Sequence, residues 1–371
     1  MRIAIVSHYM PPHVGGIEFV ASLLSRVYAD AGHDVTWVAS ATPERPSESV
    51  EAGTRRVRIT GANLLEERFA MPFPVIGPGG WTAIDRAVRD ADVVHVQDCL
   101  YTMSIAAARA AAQHHRPYIV TQHVAMVSFG GGLIDPMLAT AYRTVGRAVL
   151  HGARHVAFVS ENVRDWFTQH VAPDLRASLI PNAVDTSLFH VASDAERAAA
   201  REAFGIPRDA AVVLFAGRLV PKKHVRSLVD VLGHTDAHLF VVGDGPERDA
   251  LAALGQRVTH VPRIPHARMP EAFAAADAFA LPSTGEGLPL SLIEALASGL
   301  PCVVSDDPAF AGLAACDAVV RPPLAQLSSA LADALAMPAS RRATSRAWAQ
   351  ARYGLARFRD AYLALLAEAA R

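Results

Sequence analysis

Short runs of Val, Ile, Leu and Phe alternate with longer stretches of helical period, and the whole alternation occurs twice along the chain. The first series of apolar runs lies at 2–7 (RIAIVS), 34–39 (DVTWVA), 92–96 (DVVHV), 118–121 (YIVT) and 155–159 (HVAFV). The second lies at 210–216 (AAVVLFA), 238–242 (HLFVV), 257–261 (RVTHV), 278–281 (AFAL) and 301–305 (PCVVS). Runs this continuous suit strands buried on both faces, and the helical stretches between them predict parallel sheets flanked by helices. A helix over 17–31, stopped by Gly32, is the first of these. The segment 181–209, headed by PNAVD, is polar and in parts poorly periodic, so the hinge falls in or just before it. The pattern predicts an α/β chain of two Rossmann-like, doubly wound domains, 1–180 and 181–349. Residues 341–371 are helical in period, and a C-terminal helix over about 350–371 is expected to pack back on the first domain. A length of 371 residues suits two domains. Two such sheets predict a cleft between their carboxyl ends, where ligands of these folds bind.

Composition removes several function classes. With 51% apolar and 19% charged residues the chain is not a disordered one. Thirty-five basic residues against thirty-six acidic give a net charge of -1, so no global field attracts nucleic acid, and 7% aromatics offer little base stacking. Three cysteines, Cys99, Cys302 and Cys316, form no CxxC pair and read as buried thiols in a reducing compartment. The stretch MRIAIVSHYMPP lacks the apolar core of a signal peptide, and no run of about 18 residues is cleanly apolar. The longest uncharged stretch, 118–134, is broken by Gln122, His123, Ser128 and three glycines. These features predict a soluble, cytoplasmic protein.

The loops after the strands narrow the chemistry. The first strand runs into SHYMPPHVGGIE, without the Gly-x-Gly-x-x-Gly of a dinucleotide site. Gly243-Asp244-Gly245 has Arg248 at the third position and reads as a turn. No Gly-Lys-Ser/Thr occurs, so there is no Walker loop. Gly15-Gly16 at a helix start could let backbone amides approach a diphosphate, or could simply be a loop needing positive φ. Arg218 and Lys223, five apart after a buried strand, could converge on one anion, although a solvated loop tolerates the same residues. In 282–301 (PSTGEGLPLSLIEALASGLP), glycines flank Glu286, Pro289 sits near a helix start and Gly299 ends the helix. That N-terminus would aim its amides at an anion. Glu294 lies among Leu292, Ile293, Ala295 and Leu296 and needs a partner, which the vicinal hydroxyls of a ribose would supply; snorkelling from an amphipathic helix is the alternative. The only Asp-x-Asp, Asp90-Ala91-Asp92, reads as a helix-to-strand connection, and Asp306-Asp307 has no spaced ligand set.

The blocks GGIE, TQH, FVSENV, PNAVD, AGRLVPKK, VVGDGPER and STGEGLPLSLIEALASGLPCVVS, in this order, resemble the family 4 glycosyltransferases over nearly the whole chain. Those are retaining, nucleotide-sugar-dependent enzymes of GT-B fold. The resemblance implies that amides of Gly15 and Gly16 meet the donor diphosphate and that Arg218 and Lys223 neutralise it as it leaves. It places Glu286 at the donor sugar hydroxyls, beside the backbone of Gly287, Leu288 and Pro289, and gives Glu294 the ribose. It sets His123 beside the transferring sugar, with a structural histidine as the alternative, and has 260–265 (HVPRIP, with Arg263 and Ile264) bracket the nucleobase. His224 stands where Gly is usual and Leu288-Pro289 where Phe-Gly is commoner; both could reshape the donor-sugar pocket.

The expected activity is transfer of a hexose from a GDP- or UDP-linked donor to a hydroxyl of a glycan, lipid-linked or small-molecule acceptor. Breaking the sugar–phosphate bond builds negative charge on the diphosphate, which preorganised cations and helix amides would stabilise. No cofactor, no essential metal and no nucleic-acid partner are expected. The alternatives are a nucleotide-sugar 2-epimerase of the same fold and a non-catalytic nucleotide-sugar binding protein. Acceptor specificity is expected in the first domain, where 125–133 (AMVSFGGGL) reads as a wall over the acceptor or as a plain surface loop. Arg143, Arg147, His151 and Arg154 recur at helical spacing along 141–152 and would line one face. That face either docks on anionic headgroups or an acceptor phosphate, making the protein peripheral to a membrane, or is simply solvated.

Overall fold

The computed structural model describes residues 1–13, 15–41, 47–62, 74–126 and 134–371. The chain divides into two compact units: residues 1–181 together with 358–371, and residues 182–357.

The first unit is built on an eight-stranded sheet in the order β10-β9-β8-β7-β1-β2-β4-β3. Its strands are β1 (Arg2–Tyr9), β2 (Asp34–Ser40), β3 (Ser47–Glu51), β4 (Thr54–Ile59), β7 (Val93–Gln97), β8 (Tyr118–Gln122), β9 (His155–Phe158) and β10 (Ala177–Leu179). A separate two-stranded sheet joins β5 (Gly61–Ala62) to β6 (Val75–Ile76). All pairings in the large sheet are parallel except β3 with β4. The central strands are almost wholly buried, and Trp37 in β2 donates its indole N–H to Ser7 Oγ of β1 at 2.8 Å.

The β3–β4 hairpin is absent from the sequence expectation, and the reason is physical. Its strands, SESVE and TRRVRI, are an edge blunted by charge rather than an apolar run. Ion pairs Arg55–Glu48 and Arg56–Glu51 run across it. Its two-residue turn, Ala52-Gly53, takes positive φ at both positions, the geometry that matches strand twist but that Ala rarely signals.

The helix Leu355–Ala369 contributes Tyr362 to the first unit, where its hydroxyl lies 3.0 Å from Thr121 Oγ1. Arg176 and Glu368 are also paired.

The second unit carries a six-stranded sheet, wholly parallel, in the order β13-β12-β11-β14-β15-β16. The strands are β11 (Val212–Ala216), β12 (His238–Val242), β13 (Val258–Val261), β14 (Ala278–Leu281), β15 (Cys302–Val304) and β16 (Val319–Val320). The linker segment is more ordered than its polarity suggests. It holds the helix Asp194–Phe204, started by a Ser193–Glu196 capping box and ended at Gly205 in left-handed conformation. The three cysteines are free and buried.

Both sheets reverse direction beside their first strand. In the first unit the chain winds from β1 to β2 on one side and resumes at β7 on the other. In the second it winds from β11 through β12 to β13, then resumes at β14. The carboxyl ends at such reversals diverge and leave room for a ligand.

Candidate active site

At the reversal of the second sheet, the loops after β11 and β14 meet. Lys223 closes a short turn of 3₁₀ helix, Pro221–Lys223, and its Nζ lies 2.8 Å from Glu286 Oε1. Their side chains are 13% and 11% exposed, so the pair is largely shielded from water. Burial would push the Glu286 carboxyl up, but the charges of Lys223 and Lys222 and the hydrogen bond from Lys223 outweigh it and hold the group below the usual glutamate value. Lys222, which sequence reasoning passed over, belongs to the same cluster. Its own burial lowers the ammonium, Glu286 opposes this, and Lys223 and Arg218 add to it. Arg218 is exposed, near enough for its charge to act on Lys222. Thus Lys222 and Lys223 stand at one paired carboxylate, with Arg218 close enough to add its charge.

Backbone bonds lock the loops in register. Thr284 N donates to Lys222 O at 2.9 Å, and Gly285, at φ +65°, donates to Asp307 Oδ2 at 3.1 Å. Asp307 also caps the next turn, taking Ala309 N at 2.8 Å. The turn at Gly243-Asp244-Gly245 has a packing role: a Cβ at Gly243 would collide with the Gly217 carbonyl, and Leu219 N donates to Asp244 O at 2.9 Å. His224 occupies a left-handed conformation, φ +51° and ψ +37°, which is the physical reason a glycine suits this position. Its Nε2 lies 3.4 Å from Thr284 Oγ1, tying the Lys223 turn to the Glu286 loop.

Gly287 is buried, Leu288 and Pro289 are half-buried, and the Leu288 carbonyl accepts Asn182 Nδ2 at 2.8 Å. The helix Leu290–Ala297 starts at Pro289 and ends at Gly299, φ +75°, with Leu300 N returning to Ala295 O. Glu294 is buried, and its protein partner is His266, whose Nε2 lies 2.7 Å from Oε1. The demand for a partner is thus met inside the unit, so the ribose role of Glu294 rests on the resemblance alone. Arg263 is exposed and Ile264 half-buried against the core.

At the reversal of the first sheet a second polar cluster forms. Gly15 and Gly16 begin the helix Gly16–Asp30. The reason for glycine at 15 is Glu18: a Cβ there would collide with the Glu18 carboxylate, which folds back over the helix start. Glu18 is buried, with His13 Nδ1 at 2.8 Å and His8 Nε2 at 3.6 Å. Burial would raise it, but these histidines hold it below the usual range. The Glu18 carboxylate therefore packs against Gly15 where any side chain would sit.

His123 follows β8 and is buried, its Nε2 2.8 Å from Gln97 Oε1 and its backbone N–H donating to Asp98 Oδ1 at 2.8 Å. Burial lowers its imidazole to about 3, with the charge of His8 acting the same way. Asp98 is pushed up to about 7 by burial, against hydrogen bonds from the His123 and Val124 amides. His95 contacts Tyr28 Oη at 2.9 Å and Thr121 Oγ1 at 2.7 Å, and is the satisfied core histidine of the group. Sequence reasoning missed Gln97 and Asp98; the one signal was a polar pair ending a buried strand.

The basic stripe needs correction. A π-helical turn, Tyr142–Gly146, precedes the helix Arg147–Gly152, so the 3.6-residue phase is broken between Arg143 and Arg147. Arg154 lies beyond the helix end, its N–H bonded to Tyr118 O, and His151 lies 3.6 Å from Asp174. All four side chains are exposed, Arg154 outside the helix. Among the described residues, no helix is long and apolar enough to cross a membrane. The loop 125–133 falls mostly outside the described residues.

Two doubly wound α/β units of this build are those of the GT-B fold, and comparison with known proteins agrees. Sucrose-phosphate synthase of Thermosynechococcus elongatus superposes with a TM-score of 0.80 at 21% identity, over 99% of each chain. Anabaena HepE in complex with UDP superposes with a TM-score of 0.75 at 18% identity, over 99% of this chain and all of that one. The model described as Glycosyltransferase Family 4 matches residues 14–188, and that described as Glycosyl transferases group 1 matches 196–350. Phosphatidyl-myo-inositol mannosyltransferase of Mycolicibacterium smegmatis is 28% identical over 330 residues, 84% of this chain and 77% of that protein. A D-inositol 3-phosphate glycosyltransferase of Mycobacterium tuberculosis is 30% identical over 177 residues, 44% of this chain and 36% of that protein. The chain belongs to the family 4 glycosyltransferases and is an enzyme of glycosyl transfer.

Proposed function

We propose that the enzyme moves a hexosyl group from a nucleoside diphosphate hexose to an acceptor hydroxyl with retention at the anomeric carbon. The observation that carries this is the placing of Lys222 and Lys223 at Glu286, with Arg218 close enough to add its charge, at the reversal of the second sheet. Three cations against the two carboxylates Glu286 and Asp307 leave net positive charge where a diphosphate departs, and shielding of Lys223 and Glu286 from water strengthens it. In this reading Lys223 and Arg218 stabilise the leaving diphosphate, and Glu286, kept ionised by its lysines, accepts hydrogen bonds from the donor sugar. Glu294 and its partner His266 hold the ribose, with Arg263 and Ile264 beside the base. His123 acts on the sugar as a neutral imidazole. Gly15 and Gly16 offer the diphosphate their backbone amides.

The relatives' names, which speak of mannose and of inositol lipids and phosphates, support a polyol-bearing acceptor. The reading includes no metal.

The test is donor turnover with GDP-mannose and UDP-glucose, with and without polyol and lipid acceptors, in the presence of EDTA. Acceptor-dependent release of nucleoside diphosphate with an α-configured product is expected. Acceptor-independent epimerisation, binding without turnover, or abolition by EDTA would each overturn a stated part. Thermal shift identifies the base, because a ligand at a hundred times its Kd stabilises by about 2.7 kcal/mol.

A further inference from the structure

The reversal of the first sheet holds two buried polar atoms that the fold does not use. Gln97 is the last residue of β7 and Asp98 follows it, at the point where β7 and β1 send the chain in opposite directions. Both residues are tied to His123 through one atom each: Gln97 Oε1 to the imidazole, and Asp98 Oδ1 to the backbone N–H. Their other atoms, Gln97 Nε2 and Asp98 Oδ2, are buried and have no hydrogen-bond partner among the described residues. Asp98 is 3% exposed and Gln97 fully buried. An unmet amide donor and an unmet carboxyl oxygen in a core are costly, each by about 1–3 kcal/mol. Asp98 adds a backbone cost, since its φ of +59° lies in the left-handed region that disfavours a side chain. The bonds to His123, and the Val124 amide that also acts on the Asp98 carboxyl, leave Gln97 Nε2 and Asp98 Oδ2 without a partner among the described residues.

The chemistry of the two atoms limits what they can take. One donates and one is a carboxyl oxygen, in consecutive residues held by the same histidine. A sugar or cyclitol ring carries hydroxyls that both donate and accept, so adjacent hydroxyls would meet both needs. Charge argues against an anion here. Asp98 has no ion pair with a described residue, and Glu18 lies close enough for its charge to act on it.

We propose that Gln97 Nε2 and Asp98 Oδ2 bind hydroxyls of the acceptor's neutral polyol ring, making the end of β7 the determinant of acceptor choice. The assignment rests on the transferase reading above and adds to it the residues that select the acceptor.

The test uses the full chain with GDP-mannose or UDP-glucose as donor, and myo-inositol, D-glucose and glycerol as acceptor probes. Asp98→Asn and Gln97→Glu, each of which keeps the oxygen bonded to His123, are compared with wild type for the partition of donor between transfer to polyol and hydrolysis by water. Melting curves report folding. The expected result is a fall of at least tenfold in the partition toward the ring polyols, with donor KM within threefold of wild type and no matching change in hydrolysis. An unchanged partition, or a donor KM that rises with the loss of transfer, would overturn the assignment, as would wild-type hydrolysis without transfer to any probe. Asp98→Asn keeps Oδ1 for the His123 amide, so a folded Asp98→Asn with full transfer also overturns it. Wild-type protein that neither transfers nor hydrolyses donor would instead sink the transferase reading beneath.

Discussion

The two sheets carry polar clusters at the same topological place, and the clusters solve burial in opposite ways. In the second unit Lys223 and Glu286 are buried as ions and neutralise each other, with Lys222 and Arg218 adding positive charge. In the first, His95 and His123 are buried as neutral imidazoles, and Asp98 holds its proton up to about pH 7. Glu18 stays ionised there, beside the charges of His8 and His13. Burying charge costs far more than burying hydrogen-bonded neutral groups, so it persists where charge has work to do. A diphosphate calls for the first arrangement and a ring of hydroxyls for the second. Position in the fold thus offers a ligand place in each unit, and ionisation state distinguishes what each can hold.

The largest expected effect breaks the charged cluster. Lys223→Ala should lower kcat/KM at least about a hundredfold, as loss of a transition-state donor does. It should also cost about 3 kcal/mol of stability, because Glu286 is left buried without its main partner. The double variant Lys223→Ala, Glu286→Gln should recover much of that stability and none of the activity. Denaturant melts and initial rates on the four proteins of this cycle separate the two roles; additive stability losses would contradict the pairing.

Next comes pH, which should act more strongly on the first unit than on the second, where burial lowers His238, between about pH 5 and 6.5. His95 and His123 have folded values depressed to about 3, so their contribution is present above the unfolded value near 6.5 and is lost as pH falls below it. Asp98 is raised to about 7, so its contribution is full below about 3.8 and is lost as pH rises toward 7. Two histidines outweigh one acid, and the first unit should weaken on acidification. Asp98→Asn removes the opposing group and should steepen that loss by about 1.4 kcal/mol per pH unit. Glu286, held below its usual value, should add its loss to the second unit below about pH 4.5. Hydrogen exchange resolved by unit reads both slopes; equal slopes in the two units would contradict the contrast.

Smaller effects test the glycine positions. Gly15→Ala should cost about 2 kcal/mol by driving the Glu18 carboxylate off the helix start, and Gly15→Ala combined with Glu18→Ala should restore most of it. At His224, Gly should be more stable than Ala by about 1 kcal/mol, since Ala keeps the left-handed strain and loses the contact to Thr284. Thermal melts decide both.

Much of this was legible in the sequence because apolar runs of Val and Ile encode buried parallel strands directly. The edge hairpin of β3 and β4 was not, because its pattern is charge rather than apolarity. Arg218, Lys223 and Glu286 stood out as charged residues between glycines and strand ends. Lys222 did not, because its role depends on burial. Gln97 and Asp98 were hidden for the same reason: an unmet hydrogen bond is a property of three-dimensional packing. The π-turn between Arg143 and Arg147 was not legible, because no residue type announces it.

The central claim is that Arg218, Lys222 and Lys223 bind the diphosphate of the donor. Titration calorimetry of wild type and of the Lys222→Ala, Lys223→Ala double variant with UDP, UMP, GDP and GMP tests it directly. The account predicts that one diphosphate binds wild type at least about tenfold more tightly than its monophosphate, and that the excess vanishes in the variant. Equal affinity for the two, or an excess that survives the loss of both lysines, would contradict it.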